Sequence, residues 1–130
     1  MNTKQFKFSP HFVIKPGKTA FGVFITKDVK KGQTLFKLKG PILETPTRTS
    51  VQIGKNKHIE DPLGAFINHS CTPTAKVNKK NQTFVSLKPI KAGEEITFDY
   101  NQNEDQMASP FICHCCGKKI NGKKAKIAEL

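Results

Sequence analysis

Short apolar segments that alternate with turn signals constrain the fold of this chain more than any other feature of its sequence. The turn signals recur roughly every eight to twelve residues, a spacing typical of domains built from short strands. They include Pro16-Gly17, Lys30-Lys31-Gly32, Gly40-Pro41 and Ala92-Gly93. The predicted strands are Phe12 to Ile14, Phe21 to Thr26, Thr34 to Leu38, Ile42 to Leu43, Lys57 to Glu60, Lys76 to Asn78, Thr83 to Leu87 and Glu95 to Tyr100. The pattern therefore predicts a mostly β domain, with one or two helical turns after Asp61-Pro62.

The length of 130 residues is enough for one domain with a single core. Any active site must therefore share that core. The longest apolar run, Ala20 to Ile25, is interrupted by Gly22 and is too short to span a membrane. Residues 1–16 lack the unbroken apolar stretch of a signal peptide. We expect a soluble, intracellular protein.

The charge of the chain is strongly positive, because 22 lysines and arginines face 10 acidic residues, for a formal net charge of +12. Such a field favours anionic partners such as nucleic acid. The alternative is a solubilising surface without a dedicated partner. Arg48 is the single arginine, and lysine is poorly suited to specific base reading.

The four cysteines are Cys71, Cys113, Cys115 and Cys116. Three of them fall within four residues, where neighbours do not readily bridge each other with normal disulfide geometry. In an intracellular chain this spacing suggests metal ligands more than a disulfide framework.

Two long segments of the chain have distinctive residue orders. Residues 65–73 read Ala-Phe-Ile-Asn-His-Ser-Cys-Thr-Pro, and residues 90–100 read Ile-Lys-Ala-Gly-Glu-Glu-Ile-Thr-Phe-Asp-Tyr. Both segments resemble the signature motifs of SET-domain protein-lysine methyltransferases. Phe21 to Phe24 with Asp28 to Gly32 resembles the family's first motif, and Phe111 to Cys115 with Gly117 resembles its post-SET segment. The sequence departs from the family at Thr74, where an Asn is usual, and at Ala20, where the family's Gly-x-Gly begins with glycine.

The fold implied by the resemblance is a SET-domain β-clip of short strands with a pseudoknot near the C-terminus. There the strand ending in Tyr100 passes through a loop next to Asn68 to Cys71. Residues 1–110 would form the SET domain, and residues 111–130 a post-SET-like tail rich in cysteine and lysine.

The activity implied by the resemblance is methyl transfer from S-adenosylmethionine to lysine. Tyr100 matches the catalytic tyrosine, although a tyrosine at a strand end is otherwise an ordinary core residue. The substrate channel would include Ile67, Phe98 and Tyr100. The cofactor-binding residues would be Ala20, Phe21, Gly22, Asn68, His69, Tyr100, Phe111, Ile112 and Cys113. A free lysine has a pKa of about 10.4, so its deprotonation at neutral pH costs roughly 4 to 5 kcal/mol. A nearby sulfonium and a dry channel would lower that cost.

Two finer expectations follow from the same family pattern. Phe98 stands where a tyrosine would restrict the product to monomethyl-lysine, so phenylalanine predicts di- or trimethylation. Cys71, Cys113 and Cys115 match zinc ligands, but Ile120 occupies the fourth position. Cys116 or His114 would have to complete a tetrahedral site. The alternative is a set of reduced thiols that pack the tail.

The substrate and the partners are left open by the sequence. A lysine-rich substrate such as a histone tail needs a local acidic patch, for which the candidates are Glu94, Glu95, Asp99, Glu104 and Asp105. An acidic target, or a substrate already bound to nucleic acid, would also fit the basic tail. A homodimer is compatible with so small a domain. The competing functions are a catalytically inactive, basic SET-fold module that binds nucleic acid or a nucleic-acid-associated protein, and a zinc-ribbon interaction domain. The latter explains only the last twenty residues.

Overall fold

The structure, a computed structural model, describes residues 6–7, 11–17, 20–113 and 117–123. Within these residues the chain forms short strands and two single-turn helices. The strands are β1 (Phe6–Lys7), β2 (Phe12–Pro16), β3 (Phe21–Ile25), β4 (Thr34–Lys37), β5 (Ile42–Leu43), β6 (Val51–Gly54), β7 (Lys57–Ile59), β8 (Asn68–His69), β9 (Ala75–Asn78), β10 (Thr83–Ser86), β11 (Glu95–Phe98), β12 (Phe111–Ile112) and β13 (Lys119–Ile120). A 3-10 helix spans Gly64–Phe66, and the α-helix α1 spans Tyr100–Asn103. The predicted mostly β class with little helix is confirmed. Among the described residues, no helix has the length and apolar character needed to cross a membrane.

Four small sheets make up the domain. The largest has the order β1-β2-β3-β11-β8, and the others are β4-β10-β9, β5-β7-β6 and the hairpin β12-β13. All pairs between named strands are antiparallel except one, β11 with β8, which pairs Thr97 with Asn68 and Phe98 with His69. This parallel pair joins the two long sequence motifs side by side, although nearly thirty residues separate them along the chain.

The core is crossed by a row of aromatic rings. Phe12 packs against Phe36 at 5.6 Å between ring centroids, Phe36 against Phe84 at 5.3 Å, and Phe84 against Phe98 at 5.1 Å. The last contact of the row joins Phe98 to Tyr100 at 4.7 Å. Aromatic pairs at these separations stabilise a core beyond the area they bury, by about 0.5–1.5 kcal/mol each. The row therefore ties β2, β4, β10 and β11 to the start of α1.

The end of β11 differs from the sequence prediction. The predicted strand continues to Tyr100, but β11 ends at Phe98 because Asp99 caps α1. The Asn101 amide donates to the Asp99 Oδ1 atom at 2.9 Å, a typical N-cap bond. Tyr100 is thus the first residue of a helix, and the segment from Asn101, predicted as loop, begins in that helix.

The helix predicted after Asp61-Pro62 is a single 3-10 turn. The Asp61 Oδ1 atom accepts hydrogen bonds from the amides of Leu63 and Gly64, at 2.8 and 2.7 Å. Asp61, predicted as the N-cap, thus binds the first amides of the turn, but the N-cap residue itself is Leu63. The strand β6 and the hairpin of β12 with β13 were not predicted. The pseudoknot and the division at residue 110 stay predictions.

Candidate active site

The parallel pairing of β8 with β11 places His69 against the start of α1. The first amides of a helix have no partner within the helix. Here the Tyr100 amide donates to the His69 Nδ1 atom at 3.0 Å. Because Nδ1 accepts this bond, the neutral ring carries its proton on Nε2. Burial lowers the pKa of His69, and it outweighs the opposing effect of Asp99. His69 is therefore a neutral ring that fixes the position of Tyr100.

The Tyr100 side chain is held at both its ring and its hydroxyl. The hydroxyl donates to the carbonyl oxygen of Ile67 at 2.6 Å. The ring lies 4.7 Å from Phe98 and 5.3 Å from His69, between centroids. Burial raises the pKa of Tyr100 far above its usual value, and the negative charge of Glu104 adds to the effect. The hydroxyl is therefore neutral at all pH values at which the protein works.

Asn68 joins β8 to the first motif on β3 and to the start of β11. Its amide nitrogen donates to the Phe21 carbonyl oxygen and to the Glu95 carboxylate, both at 2.9 Å. A side chain at Gly22 would overlap the Glu95 carboxylate, which explains the glycine at that position. Ala20 is not among the described non-glycine residues with positive φ, so alanine fits the backbone there. No described residue donates to the Asn68 Oδ1 atom.

The hairpin of β12 with β13 lies over the same face. The Phe111 ring is 5.9 Å from His69 and 6.0 Å from Tyr100, between centroids. Phe111, Ile112 and Phe21 nevertheless remain well exposed, with 38%, 58% and 38% of their surface open to solvent. Large apolar side chains left open around a polar centre are typical of a ligand site.

Two sulfur atoms lie beside His69. The Cys71 and Cys113 Sγ atoms are 3.6 Å apart, close to the roughly 3.8 Å that separates two thiolates on one tetrahedral zinc ion. The His69 Nε2 atom is also 3.6 Å from the Cys71 sulfur. His69 does not suit a zinc ligand, because Nε2 carries the proton when Nδ1 accepts from Tyr100. The structure places Cys71 in a disulfide bond, so zinc binding there requires its reduction.

The other predicted metal ligands include three residues that the structure does not describe. Cys115, Cys116 and His114 lie outside the described residues. Ile120, at the family's fourth ligand position, is 1% exposed and pairs with Phe111 across the hairpin. The described residues thus supply two of the four ligands that tetrahedral zinc needs.

A narrow cavity of about 20 Å³ opens beside the Tyr100 ring. All three predicted channel residues line it, and so do Glu104 and Met107. The remaining wall comes from residues 46–51 and from Gly64 and Ala65. Its volume is near that of one water-sized probe, so it is narrow enough to exclude bulk water.

Glu104 is the site residue that the sequence did not single out. The sequence predicts it as one of five acids in a surface patch. This prediction is wrong, because Glu104 is 3% exposed and is therefore not part of the surface. Its Oε2 atom accepts from the Gln52 amide at 2.8 Å and from the Asn103 side chain at 2.6 Å. No periodic pattern in the sequence marks a buried acid just after a four-residue helix.

The SET-domain family model matches residues 20–101, which is more than half of the chain. The histone-lysine N-methyltransferase, H3 lysine-36 specific, of Yarrowia lipolytica is 30% identical over a region covering 89% of this chain and 18% of that protein. The Saccharomyces cerevisiae protein of the same description is 30% identical over 84% of this chain and 18% of its own length. The chain thus spans less than a fifth of these curated relatives.

A solved structure of a humanized mutant of the Chaetomium thermophilum Polycomb Repressive Complex 2 superposes with a TM-score of 0.58. The identity is 14%, and the match covers 86% of this chain and 18% of that one. This likeness supports the fold alone. The match to the family model over residues 20–101 shows that the chain belongs to the SET-domain family.

Proposed function

We propose that this chain transfers methyl groups from S-adenosylmethionine to the ε-amine of lysine side chains in a protein substrate. The observation that carries the proposal is the position of Tyr100. Its hydroxyl is neutral and fixed in the wall of a narrow cavity, and its backbone is bonded to His69 of the other motif. Family membership and the names of the relatives support the same activity.

Tyr100 would orient the amine of the substrate through its hydroxyl. The hydroxyl hydrogen is used by the Ile67 carbonyl, so the oxygen lone pairs are available to an N–H donor. Holding a nucleophile in line at near-attack distance supplies much of the catalysis in reactions of this kind. The raised pKa of Tyr100 means that the hydroxyl does not act as a tyrosinate base.

S-adenosylmethionine, when bound, supplies an electrophilic methyl on a positively charged sulfur. The residues proposed to hold it are Ala20, Phe21, Gly22, Asn68, His69, Phe111, Ile112 and Cys113, together with the backbone of Tyr100. The absence of a side chain at Gly22 leaves room for the Glu95 carboxylate and the Asn68 amide beside the backbone of the first motif. Asn68 offers Oδ1, and Phe21, Phe111 and Ile112 offer apolar surface. This donor and surface set fits an adenosine with an amino-acid end.

The proposed substrate is a lysine of histone H3, by analogy with the relatives described as H3 lysine-36 specific. The net charge of +12 repels a free basic tail and favours one that is presented on nucleic acid. We therefore propose that nucleosomal H3 is methylated faster than free H3.

Phe98 is proposed to permit the addition of more than one methyl group. Its ring is 3% exposed and lines the cavity beside Tyr100. A phenylalanine brings no hydroxyl that could retain a water molecule in the space that further methyl groups need. Di- or trimethyl-lysine is the proposed product.

Cys71 and Cys113 are proposed to contribute two thiolates to a structural zinc site in the reduced protein. Their sulfur separation of 3.6 Å supports this. Cys115 and Cys116 are the proposed remaining ligands. The ion would fasten the β12-β13 hairpin over the cofactor site.

Replacing Tyr100 by Phe removes one oxygen atom and should reduce methyl transfer at least about 100-fold, since the amine loses the group that orients it. Incorporation of labelled methyl into free and nucleosomal histone H3 measures the effect. Calorimetry should show that the Tyr100→Phe protein still binds S-adenosylmethionine, whereas Asn68→Ala binds it poorly. Unchanged incorporation by Tyr100→Phe would remove Tyr100 from the mechanism.

Tyr100 is the single tyrosine, and there is no tryptophan, so its ionisation can be followed by ultraviolet absorbance. The folded state raises the pKa of Tyr100 above the usual value of about 10. The folded state therefore keeps the proton that the unfolded chain loses, and stability is full below pH 10 and falls as the pH rises further. Tyrosinate should appear only as the protein unfolds, followed by circular dichroism. A tyrosinate signal near pH 10 with the fold intact would contradict the buried position.

Replacing Phe98 by Tyr should shift the product toward monomethyl-lysine, because the new hydroxyl holds a water in the cavity. Mass spectrometry of H3 after long incubation measures the distribution. Phe36→Tyr is the matched control, since Phe36 belongs to the aromatic row but does not line the cavity. A wild-type product that stays monomethylated at long times is the result that would rule out this role of Phe98.

Protein purified under reducing conditions should contain about one zinc ion per chain, and Cys71→Ser or Cys113→Ser should abolish its retention. Elemental analysis after gel filtration measures the content. Lys118→Ser, a change beside the hairpin that removes no thiol, should retain the metal. Reduced wild-type protein that is free of zinc would leave the cysteines as packing residues.

A further inference from the structure

Glu104 is a buried acid in the wall of the cavity that Tyr100 lines. This placement gives the cavity a negative charge that neither the motifs nor the family match assigns. The 3% exposure of Glu104 is unusual, since an acid is almost never fully buried unless it is paired. The described residues place no Lys or Arg within ion-pair distance of it. Its location in a site for a cationic side chain suggests that the missing partner is the substrate.

The carboxylate is held in one orientation by donors on a single oxygen. Both the Gln52 amide and the Asn103 side chain bond to Oε2. The Asn103 side chain also bonds to the Gln52 carbonyl oxygen at 3.1 Å, which fixes its own position. No described residue donates to the Oε1 atom, and Oε1 is not among the buried atoms without a partner. One oxygen therefore binds the protein, and the other remains accessible from the cavity.

The charged and titratable groups around Glu104 come from several elements. Lys79 on the loop after β9 donates to the Asn103 carbonyl oxygen at 2.9 Å, and its charge favours the ionised form of Glu104. Asp105 next along the chain opposes that form. Tyr100 and Arg48 line the same cavity. None of them bonds to Oε1.

Provided that the proposed lysine methylation is correct, we propose that Glu104 pairs with the ε-ammonium group of the substrate lysine and takes up one of its protons. In this step an N–H bond of the ammonium breaks and an O–H bond forms on the carboxylate. The nitrogen keeps the electron pair and becomes the neutral amine that methyl transfer requires. The electron pair of the broken sulfur–methyl bond would stay on the sulfur of the cofactor. The proton passes to solvent when the product leaves, which restores the carboxylate for the next turnover.

The environment of Glu104 suits this exchange. Burial raises the pKa of Glu104, although the hydrogen bonds from Gln52 and Asn103 oppose that effect. In the same cavity a sulfonium and the loss of water would lower the pKa of the lysine. In water, the pKa of a lysine exceeds that of a glutamic acid by roughly six units. The two shifts reduce this difference, so proton transfer from the lysine to Glu104 costs less free energy.

The test compares Glu104→Gln with wild type and with Glu44→Gln. Glutamine has nearly the same shape and its amide oxygen can accept both bonds that Oε2 accepts, so the fold should persist. Glu44→Gln makes the same change at an exposed acid that does not line the cavity. Thermal unfolding and calorimetric binding of S-adenosylmethionine should be alike for all three proteins.

The kinetic readout is kcat/KM for nucleosomal H3 as a function of pH. Near neutral pH, Glu104→Gln should lose about 100-fold, the lower end of the usual range for a general base, while Glu44→Gln stays near wild type. The deficit should shrink to below about 10-fold near pH 9.5, because a growing fraction of the lysine is then already deprotonated. A deficit that does not change with pH, or no deficit at all, would overturn the proposal.

The second readout needs neither cofactor nor turnover. Calorimetry compares a histone H3 peptide centred on lysine-36 with the same peptide carrying norleucine there. Wild type should bind the lysine peptide at least about 5-fold more tightly, and Glu104→Gln should lose this preference, because its neutral amide cannot pair with the ammonium. Equal preference in both proteins would overturn the pairing. If wild type neither binds S-adenosylmethionine nor methylates H3, the proposed function has failed and this inference fails with it. If wild type is active and only the Glu104 results disagree, the proposed function stands without Glu104.

Discussion

The arrangement of the site depends on the parallel contact between β8 and β11. Thr97 pairs with Asn68, and Phe98 pairs with His69. The two strands are short and lie far apart in the sequence. Parallel pairing is slightly weaker per residue than antiparallel pairing, so two pairs of residues alone would not hold. The bond from the Tyr100 amide to His69 extends the contact to a point two residues beyond the end of β11. It converts an unpaired amide at the start of α1 into the link that orients the Tyr100 ring.

The neutral state of His69 is a condition of that link. A protonated ring has no acceptor on Nδ1 and would repel the amide hydrogen. Burial lowers the pKa of His69 and thereby maintains the acceptor. The same proton arrangement directs Nε2–H toward the Cys71 sulfur. One imidazole thus connects the tyrosine on one side with the cysteine pair on the other.

Much of the fold could be predicted from the sequence. The residues at the centre of the site, among them Asn68, His69 and Tyr100, are predicted only by the resemblance of their segments to the SET-domain motifs, and their roles stay predictions. The turn signals and β-branched segments also indicated most strands.

The parts that could not be predicted depend on tertiary contacts. The capping of α1 by Asp99 competes locally with strand continuation, and the sequence Thr-Phe-Asp-Tyr is compatible with both. Burial of Glu104 depends on hydrogen bonds from Gln52 on β6 and from the neighbouring Asn103. Gln52 lies 52 residues before Glu104, so no local pattern predicts that contact. The ring contacts of Phe111 with His69 and Tyr100 join the β12-β13 hairpin to the site, and this hairpin lies outside the residues that the family model matches.

The aromatic row has a consequence for how the protein tolerates change. The row is a continuous series of ring contacts that ends at the ring of Tyr100. Its members are Phe12, Phe36, Phe84 and Phe98. Protein interiors are packed as densely as organic crystals, so a gap left at one ring is felt by the next. A substitution at Phe12, far from the candidate active site, would therefore make the position of the Tyr100 hydroxyl less well defined before it unfolds the domain. In this domain, the packing of the aromatic core therefore also determines how accurately the Tyr100 hydroxyl is positioned.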